Sequence, residues 1–236
     1  MKNQYFGDIN DYRKYGLLRT LINGGGIKTA VCWMLTPDDG RGDGGFTSYL
    51  EKPDKWCHFD PLLFDHLREM VQTQNLRDVR GAETSAVLPS CRFAPGFLPD
   101  DADGRVRYFE AFKDLAGGCE LVFFDPDNGI EVDSTRCGHT NSSKYLYWHE
   151  IEDFWKAGHS LLIYQHFPHV KRATFIHGKA ALLIEKTGAP LVISLRTSHV
   201  VFFLVPQAKR RGVFRDRSEK AAGDWCGQIW VAYHPH

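Results

Sequence analysis

The sequence contains no close pair of cysteines, which argues against a zinc centre or a disulfide framework. Its six cysteines are scattered along the chain, and no two of them form a Cys-x-x-Cys pair. Structural zinc sites and disulfide frameworks are normally recognised by closely spaced cysteines. Three of the cysteines stand in apolar runs, where a free thiol behaves as a small hydrophobic side chain. We therefore expect neither a structural metal nor a disulfide.

Long apolar runs and an excess of charge of one sign are also missing. No apolar run approaches the roughly 20 residues needed to span a bilayer. The N-terminal residues Met1-Lys2-Asn3-Gln4-Tyr5 lack the apolar core of a signal peptide. These absences predict a cytoplasmic protein without a membrane partner. The 29 basic and 29 acidic side chains give a net charge of zero, so a nucleic-acid partner would have to bind through a local basic patch.

The chain shows no internal repeat, no low-complexity tract and no linker rich in proline or serine, so we expect one domain over residues 1–236. Apolar periodicity predicts helices at 8–23, 60–72, 106–115, 149–157, 171–186 and 207–220. Short apolar runs predict strands at 28–35, 120–124, 160–164, 190–195, 200–205 and 228–233. Loops are expected at 37–45, 99–104 and 133–143. Residues 1–26 are expected to form an N-terminal helical cap segment over the end of the sheet.

The order of these elements predicts the fold class. Strands that alternate with helices imply a three-layer α/β fold, Rossmann-like, with a mostly parallel sheet covered on both sides. The strands at 190–195 and 200–205 are only a few residues apart, so this C-terminal pair should be antiparallel. Such a pair after a run of β-α units is the layout of class I methyltransferase-like folds. A flavodoxin-like or simple Rossmann sheet is the alternative.

Polar side chains follow three of the predicted strands at the point where each strand ends. They are Asp125-Pro126-Asp127-Asn128-Gly129, Gln165-His166, and the segment from Thr36 to Gly40. In open α/β sheets, ligands bind at the carboxyl ends of the strands. The candidate site residues are therefore Asp125, Asp127, Asn128 and His166, with Thr36 and Asp38 as candidate cofactor contacts.

Asp125 and Asp127 are the most informative of these residues. Two carboxylates leave a hydrophobic strand, where desolvation penalises charge unless a partner compensates. Such groups are commonly kept for ligands, protons or metals. An ordinary turn is the alternative, because Asp-Pro and Asn-Gly are both turn dipeptides.

The N-terminal segment carries a second polar cluster, in which Asp8, Asp11 and Lys14 stand among aromatic residues. Asp11 and Lys14 are three residues apart on the predicted helix and can simply pair with each other. The glycine-rich segment 36–45 does not fit the dinucleotide-binding pattern; it is either a substrate loop or a bare surface loop. His166 is a candidate acid, base or ligand. The basic run at 209–217 indicates a solvated helix face, or else a grip on a nucleic-acid backbone.

Together, Gly7-Asp8-x-x-Asp11-x-x-Lys14-Tyr15 before a Rossmann-like core and Asp125-Pro126 at a strand end form a recognisable order. It resembles the S-adenosylmethionine-dependent methyltransferases that modify an adenine N6 in large-subunit ribosomal RNA. The two motifs also resemble a group of bacterial and prophage proteins without an assigned activity. The methyltransferase resemblance implies that Asp8, Asp11 and Lys14 lie near the methionine part of the cofactor. It further implies that Asp125 accepts a hydrogen bond from the target amino group and that Asp60 holds the ribose hydroxyls.

The sequence departs from that family at two places. Asp127 and Asn128 replace the second proline and the tyrosine of the family's Asp-Pro-Pro-Tyr motif. That tyrosine stacks on the flipped base, and stacking contributes to the binding of an unstacked base. Thr36-Pro37-Asp38-Asp39-Gly40 replaces the glycine-rich cofactor loop that the family has after the first strand.

Three hypotheses about function follow. The first is an S-adenosylmethionine-dependent methyltransferase acting on nucleic acid or on a small nucleophile. The second is a metal-dependent hydrolase or nuclease, in which Asp125, Asp127 and His166, with Asp8 or Asp11, bind Mg²⁺ or Mn²⁺. The third is a binding protein without enzymatic activity on the same fold. Loss of activity with a chelator would separate the second hypothesis from the first.

Overall fold

A mixed α/β architecture is built around a seven-stranded sheet. The computed structural model describes residues 1–22, 26–38, 40, 42, 44–84 and 86–236. The strands are β1 (Thr29–Cys32), β2 (Cys91–Phe93), β3 (Leu121–Phe124), β4 (Gly129–Ile130), β5 (Tyr145–Leu146), β6 (Ser160–His166), β7 (Leu191–Arg196), β8 (Val200–Val205) and β9 (Trp230–Pro235). The helices are α1 (Ile9–Ile22), α2 (Pro53–Trp56), α3 (Pro61–Arg68), α4 (Ala102–Leu115), α5 (Trp148–Lys156), α6 (Arg172–Thr187) and α7 (Arg211–Asp224). Among these residues, none of the helices is both long and apolar enough to cross a membrane.

The main sheet changes from parallel to antiparallel along its width. Its strand order is β2-β1-β3-β6-β8-β7-β9, and the first four strands run parallel. Strand β8 lies between β6 and β7 and is antiparallel to both, and β9 is antiparallel to β7. The predicted antiparallel pairing of residues 190–195 with 200–205 is therefore confirmed. Strands β4 and β5 form a separate two-stranded parallel pair.

Apolar side chains on both faces of the sheet account for its burial. Val31, Phe123 and Leu162 point into one apolar cluster, which includes residues of α1, α3 and α7. Neighbouring residues of the same strands belong to a second cluster with α4, α5 and α6. Because both faces are covered, all four residues of β3 are buried. This agrees with the continuous apolar run that predicted a buried parallel strand.

Helix α1 lies close against the first face and sets the position of the N-terminal cluster. Asp8 caps its first turn, since a side-chain oxygen of Asp8 accepts the backbone N–H of Asn10 at 2.8 Å. At Gly16, a Cβ atom would come within 1.9 Å of the Trp225 ring, so glycine is required for this close approach. Helix α1 is described to Ile22, and the last residue of the predicted helix, Asn23, lies outside the described residues.

Several predicted boundaries are wrong. Helix α4 begins at Ala102, inside the predicted loop 99–104, because the Asp101 side chain caps it by accepting the Gly104 N–H at 2.7 Å. The predicted helix 60–72 ends its α-helical part at Arg68 and continues as a π-helical turn over Glu69–Thr73. Strand β2 was not predicted, since three residues are too few for a periodic signal.

Candidate functional site

A polar cavity of about 500 Å³ opens at the carboxyl ends of β3 and β6. The N-terminal residues and the first turns of α1 form one wall, and the segment Asp125–Asn128 after β3 forms another. Ligand cavities in proteins usually have volumes of this order, about 300 to 1,000 Å³. This is also the edge of the sheet at which open α/β folds bind ligands.

The centre of the site is a buried group of three charges, Asp11, Lys14 and Asp125, which we call the Lys14 triad. The Nζ atom of Lys14 lies 2.7 Å from Asp11 Oδ1 and 2.7 Å from Asp125 Oδ2. All three side chains are at most 5% exposed. The Tyr15 hydroxyl donates to Asp11 Oδ2 at 3.0 Å. One ammonium group thus faces two carboxylates, so the triad carries a net negative charge when all three groups are ionised.

Burial and mutual attraction compete in this triad. Burial raises the pKa of Asp11 to about 6, although the charge of Lys14 acts to lower it. Burial alone would lower the pKa of Lys14, but the two carboxylates raise it above its ordinary value. Lys14 therefore stays protonated across the physiological range, whereas Asp11 titrates near its lower end. The lysine ammonium also lies 5.3 to 5.8 Å from the ring centres of Tyr15, Trp33 and Tyr164, which face it as cation–π partners.

Asp127 is joined to the N-terminal residues and to the end of β1. Its carboxylate forms an ion pair with the amino group of Met1 and accepts the Thr36 hydroxyl at 2.8 Å. The same amino group donates to the carbonyl of Asp125 at 3.1 Å. Burial alone would raise the pKa of Asp127, but the Met1 charge and the Thr36 hydroxyl lower it below its ordinary value. Asp127 therefore holds the wall of the cavity together as a carboxylate.

The turn Asn128–Gly129 is fixed against β6 by Gln165. The Gln165 side chain accepts the Ile130 N–H at 2.8 Å and donates to the Asn128 carbonyl at 3.2 Å. Gly129 has a φ of +107°, and a Cβ atom there would lie 2.3 Å from the Gln165 amide nitrogen. Glycine at this position lets the turn approach β6, and Asn128 lines the cavity as a result. Gln165 thus acts as a support for the site.

His166 reaches the same cavity from the end of β6. Its Nε2 atom lies 3.0 Å from the Tyr164 hydroxyl. Desolvation lowers the pKa of His166, although Asp125 and Asp127 act in the opposite direction. The residue keeps a solvent-exposed edge at the mouth. The imidazole is therefore mainly neutral at pH 7.

The structure brings most of the predicted site residues together. Asp8, Asp11, Lys14, Asp125, Asp127, Asn128 and His166 all line the cavity. Thr36 is not a lining residue, but its hydroxyl donates to Asp127 at 2.8 Å and its backbone N–H donates to the Met1 carbonyl at 2.8 Å. Asp38 and Asp60 are not among the lining residues. Asp38 accepts the Gln4 backbone N–H at 3.1 Å, and Asp39, Arg41 and Asp43 of the same predicted loop lie outside the described residues.

Asp60 has local partners away from the cavity. Its side chain caps α3 by accepting the Leu63 N–H at 3.1 Å, and it pairs with Arg19 at 2.6 Å. The predicted contact with ribose hydroxyls would need a ligand at this position, and the cavity does not extend there. The structure therefore accounts for Asp60 by helix capping and by its link to α1.

Sequence reasoning missed several lining residues, among them Phe46, Lys144 and His199 at the mouth of the cavity. Phe46 is an apolar ring at the end of a segment rich in glycine and aspartate, which is the one sequence signal that sets it apart. Lys144 and His199 follow loops far apart in the chain, and only the pairing of β6 with β8 brings His199 to this edge.

The carboxylates of the site are already paired with donors. Lys14 forms ion pairs with both Asp11 and Asp125, and Asp8 accepts backbone N–H groups of Asn10 and Phe46. In the described part of the chain, Cys137, His149 and Glu150 form the one group of three residues with ligand atoms within 4.8 Å of one another. In that group, the Glu150 carboxylate accepts two hydrogen bonds from the Arg105 guanidinium, at 2.6 and 3.0 Å. The carboxylates of the cavity thus face the Lys14 ammonium, the Met1 amino group and backbone donors.

Comparisons with known proteins do not assign the chain to a family. No family model matches the chain, and no curated protein matches it. One similar solved structure is protein LPL1258 from Legionella pneumophila str. Philadelphia 1, described by the family model DUF519. The alignment covers 97% of each chain, at 11% sequence identity and a TM-score of 0.48. We draw no conclusion about fold or function from a likeness at that level.

Proposed function

We propose that the protein is an S-adenosylmethionine-dependent methyltransferase that acts on an amino group of a nucleic-acid base. The observation that carries the proposal is the Lys14 triad, which places a buried carboxylate, Asp125, at the carboxyl end of β3 beside a cavity of about 500 Å³. A carboxylate held in this way can accept a hydrogen bond from an amino group that enters the cavity. The cytoplasmic location expected from the sequence belongs to the same proposal.

The sheet supports this proposal at the level of architecture. Four parallel strands are followed by β8, which is inserted between β6 and β7 and is antiparallel to both. A mostly parallel sheet with such a C-terminal strand pair is the layout of class I methyltransferase-like folds. Asp125 and Asn128 follow the third strand of the chain, at the edge where that layout places its ligands. Fold alone does not decide function, so the site residues must bear the proposal.

The lining residues fit the methionine end of the cofactor better than its nucleoside end. The methionine part carries one ammonium and one carboxylate, and the cavity offers Asp8, Asp11 and Lys14 as partners of both signs. The end of β2, which is followed by Ala94 and Pro95, offers no acidic residue for ribose hydroxyls. We therefore assign Asp8, Asp11 and Lys14 to the methionine part and leave the ribose without a carboxylate partner. The bound cofactor would supply an electrophilic methyl group.

The residues of the chain would then bind and orient the acceptor. Asp125 accepts one N–H of the acceptor amino group, and the Asn128 amide offers a second polar contact on the same wall. Proximity and orientation supply much of the rate enhancement in a reaction between two bound partners. His166 is suited to take the proton that the acceptor nitrogen loses, because desolvation keeps its imidazole neutral.

A metal-dependent hydrolase is the second candidate from the sequence, and the contacts of the carboxylates disfavour it. Hard cations bind carboxylate oxygens that are open to them. Here an ammonium group lies 2.7 Å from both Asp11 and Asp125. A cation at this position would have to displace a buried lysine. A binding protein without activity remains the third candidate, and the assay below separates it from the first.

The experiment is a transfer assay with methyl-labelled S-adenosylmethionine and a mixture of single-stranded RNA and DNA oligonucleotides. We expect the wild-type protein to label the oligonucleotide in the presence of a chelator. The rate of labelling should fall at least about 100-fold with Asp125→Asn, as for removal of an essential polar contact to a reacting group. A Leu62→Ala variant, altered at an exposed site on α3, should retain full activity. No labelled product with the wild-type protein, or equal product with Asp125→Asn, would contradict the proposal.

A further inference from the structure

Phe46 is an exposed aromatic ring at the mouth of the cavity. Its side chain is 71% exposed and lines the cavity together with residues of the triad. Its backbone is held on both sides, since Phe46 N–H donates to Asp8 Oδ2 at 3.1 Å and its carbonyl accepts the Ile9 N–H at 3.1 Å. Asp8 in turn caps α1. The ring is thus presented to solvent from a fixed backbone.

Single exposed apolar residues are common on protein surfaces and need no explanation by themselves. Phe46 differs from the others because it stands at a polar cavity whose floor carries charged groups. Two basic or titratable side chains, Lys144 and His199, line the same mouth. Stacking aromatic rings beside basic side chains are the combination with which proteins bind single-stranded nucleic acid, and Phe46 beside Lys144 offers one of each. Because the net charge of the chain is zero, binding of nucleic acid would depend on local side chains such as these and not on overall charge attraction.

We propose that Phe46 stacks on the base that carries the acceptor amino group, and that Lys144 and His199 bind the flanking phosphates. This inference rests on the proposed function and names its substrate class, a single-stranded or flipped-out nucleobase. Asp125 lines the same cavity as Phe46 and would accept the hydrogen bond from the amino group of that base. A base extruded from its stack is normally gripped between aromatic or apolar side chains and read along its polar edge. Phe46 is the exposed aromatic residue among the cavity-lining residues that the structure describes.

The experiment measures binding of a fluorescein-labelled, mixed-sequence single-stranded oligonucleotide by anisotropy, in RNA and DNA versions, together with calorimetric binding of S-adenosylmethionine. The variants are Phe46→Ala, Phe46→Trp and the control Leu62→Ala, whose side chain is 73% exposed but lies outside the cavity. We expect Phe46→Ala to weaken oligonucleotide binding about tenfold or more, the usual effect of removing a stacking ring. Phe46→Trp should bind as the wild type does, and Leu62→Ala should be unaffected.

The two readouts separate failure of this inference from failure of the proposed function. Cofactor binding that is equal in the wild type and in Phe46→Ala, combined with unchanged oligonucleotide binding, would overturn the stacking role and leave the proposed function standing. Absence of cofactor binding in the wild type would contradict the proposed function itself. In a plot of the logarithm of the oligonucleotide association constant against the logarithm of salt concentration, Lys144→Ala should reduce the slope by about one. An unchanged slope would overturn the phosphate role of Lys144.

Discussion

Replacing Lys14 with methionine removes one positive charge from between two buried carboxylates. Lys14 contacts both Asp11 and Asp125 at 2.7 Å, and its side chain is 3% exposed. Methionine is also long and unbranched, so it fills the space without creating a large cavity. Breaking a buried ion pair by removing one partner typically costs about 3 to 5 kcal/mol. We expect the free energy of unfolding to fall by about that amount at pH 8.

The loss should depend on pH with a definite sign. Without Lys14, protonation is the remaining way to neutralise the buried carboxylates, and the pKa of Asp11, already about 6, would rise further. A group with a native pKa above its unfolded value stabilises the fold at low pH, and that contribution is lost as pH rises through the native pKa. Lys14→Met should therefore be less destabilised at pH 5 than at pH 8.

Urea unfolding at both pH values, followed by tryptophan fluorescence, measures the effect. The matched control is Lys156→Met, because Lys156 is 67% exposed and pairs with Glu152 only on the surface of α5. Such a pair contributes at most about 1 kcal/mol, and its loss should not depend on pH in this range. A cost below about 1 kcal/mol for Lys14→Met, or an equal cost at both pH values, would refute the description of the triad as a coupled buried group.

Other variants test single features of the site. Asp11→Asn should make stability less dependent on pH, since burial raises the pKa of Asp11 to about 6. As pH rises from about 4 to about 6, the free energy of unfolding of the wild type should fall by up to about 3 kcal/mol relative to that of the variant. Free energies of unfolding that run parallel over that range would contradict this. Asp60→Ala should lower the free energy of unfolding by about 1 to 2 kcal/mol, because it removes the cap of α3 and the pair with Arg19. Calorimetric binding of S-adenosylmethionine should be unchanged. Weakened binding would instead support the ribose role. Gly129→Ala should lower the free energy of unfolding by about 1 to 3 kcal/mol, because φ is +107° and the added Cβ would meet Gln165. A thermal unfolding curve that matches that of the wild type would contradict this and would show that the turn can adjust to the added Cβ.

The positions of the candidate residues in the fold were best predicted where polar residues follow a strand. Asp125 stands at the end of a continuous apolar run, and His166 follows another, so strand-end reasoning placed both at one edge of the sheet. Lys14 was placed near this edge by the expected N-terminal cap segment and by a family resemblance, and the alternative was a simple pair with Asp11. The structure buries that pair and adds Asp125 to it. Burial of a charged residue on a helix depends on what packs over it, which spacing along the chain does not reveal.

The mouth of the cavity was not predictable for a related reason. Phe46 is brought to the site by two hydrogen bonds, in which its backbone N–H donates to the Asp8 carboxylate and its carbonyl accepts the Ile9 N–H, and these contacts leave no pattern in the sequence. Asp60 is a residue for which the sequence allows two roles. Its place before a predicted helix fitted a ribose-binding residue, but an aspartate before Pro61 is also a favourable helix cap. The local role is the one that its contacts support.

Calorimetric titration of the wild-type protein with S-adenosylmethionine, in the presence of a chelator, tests most directly whether the cavity beside Asp125 is a cofactor site. We predict one binding site per chain with micromolar affinity, and at least about tenfold weaker binding for Lys14→Met, as for the loss of a charged contact to the ligand. Absence of binding heat from S-adenosylmethionine would contradict the methyltransferase proposal. If separate titrations with Mg²⁺ or Mn²⁺, without chelator, then gave binding heat that disappeared with Asp125→Ala, a metal-dependent hydrolase would be favoured.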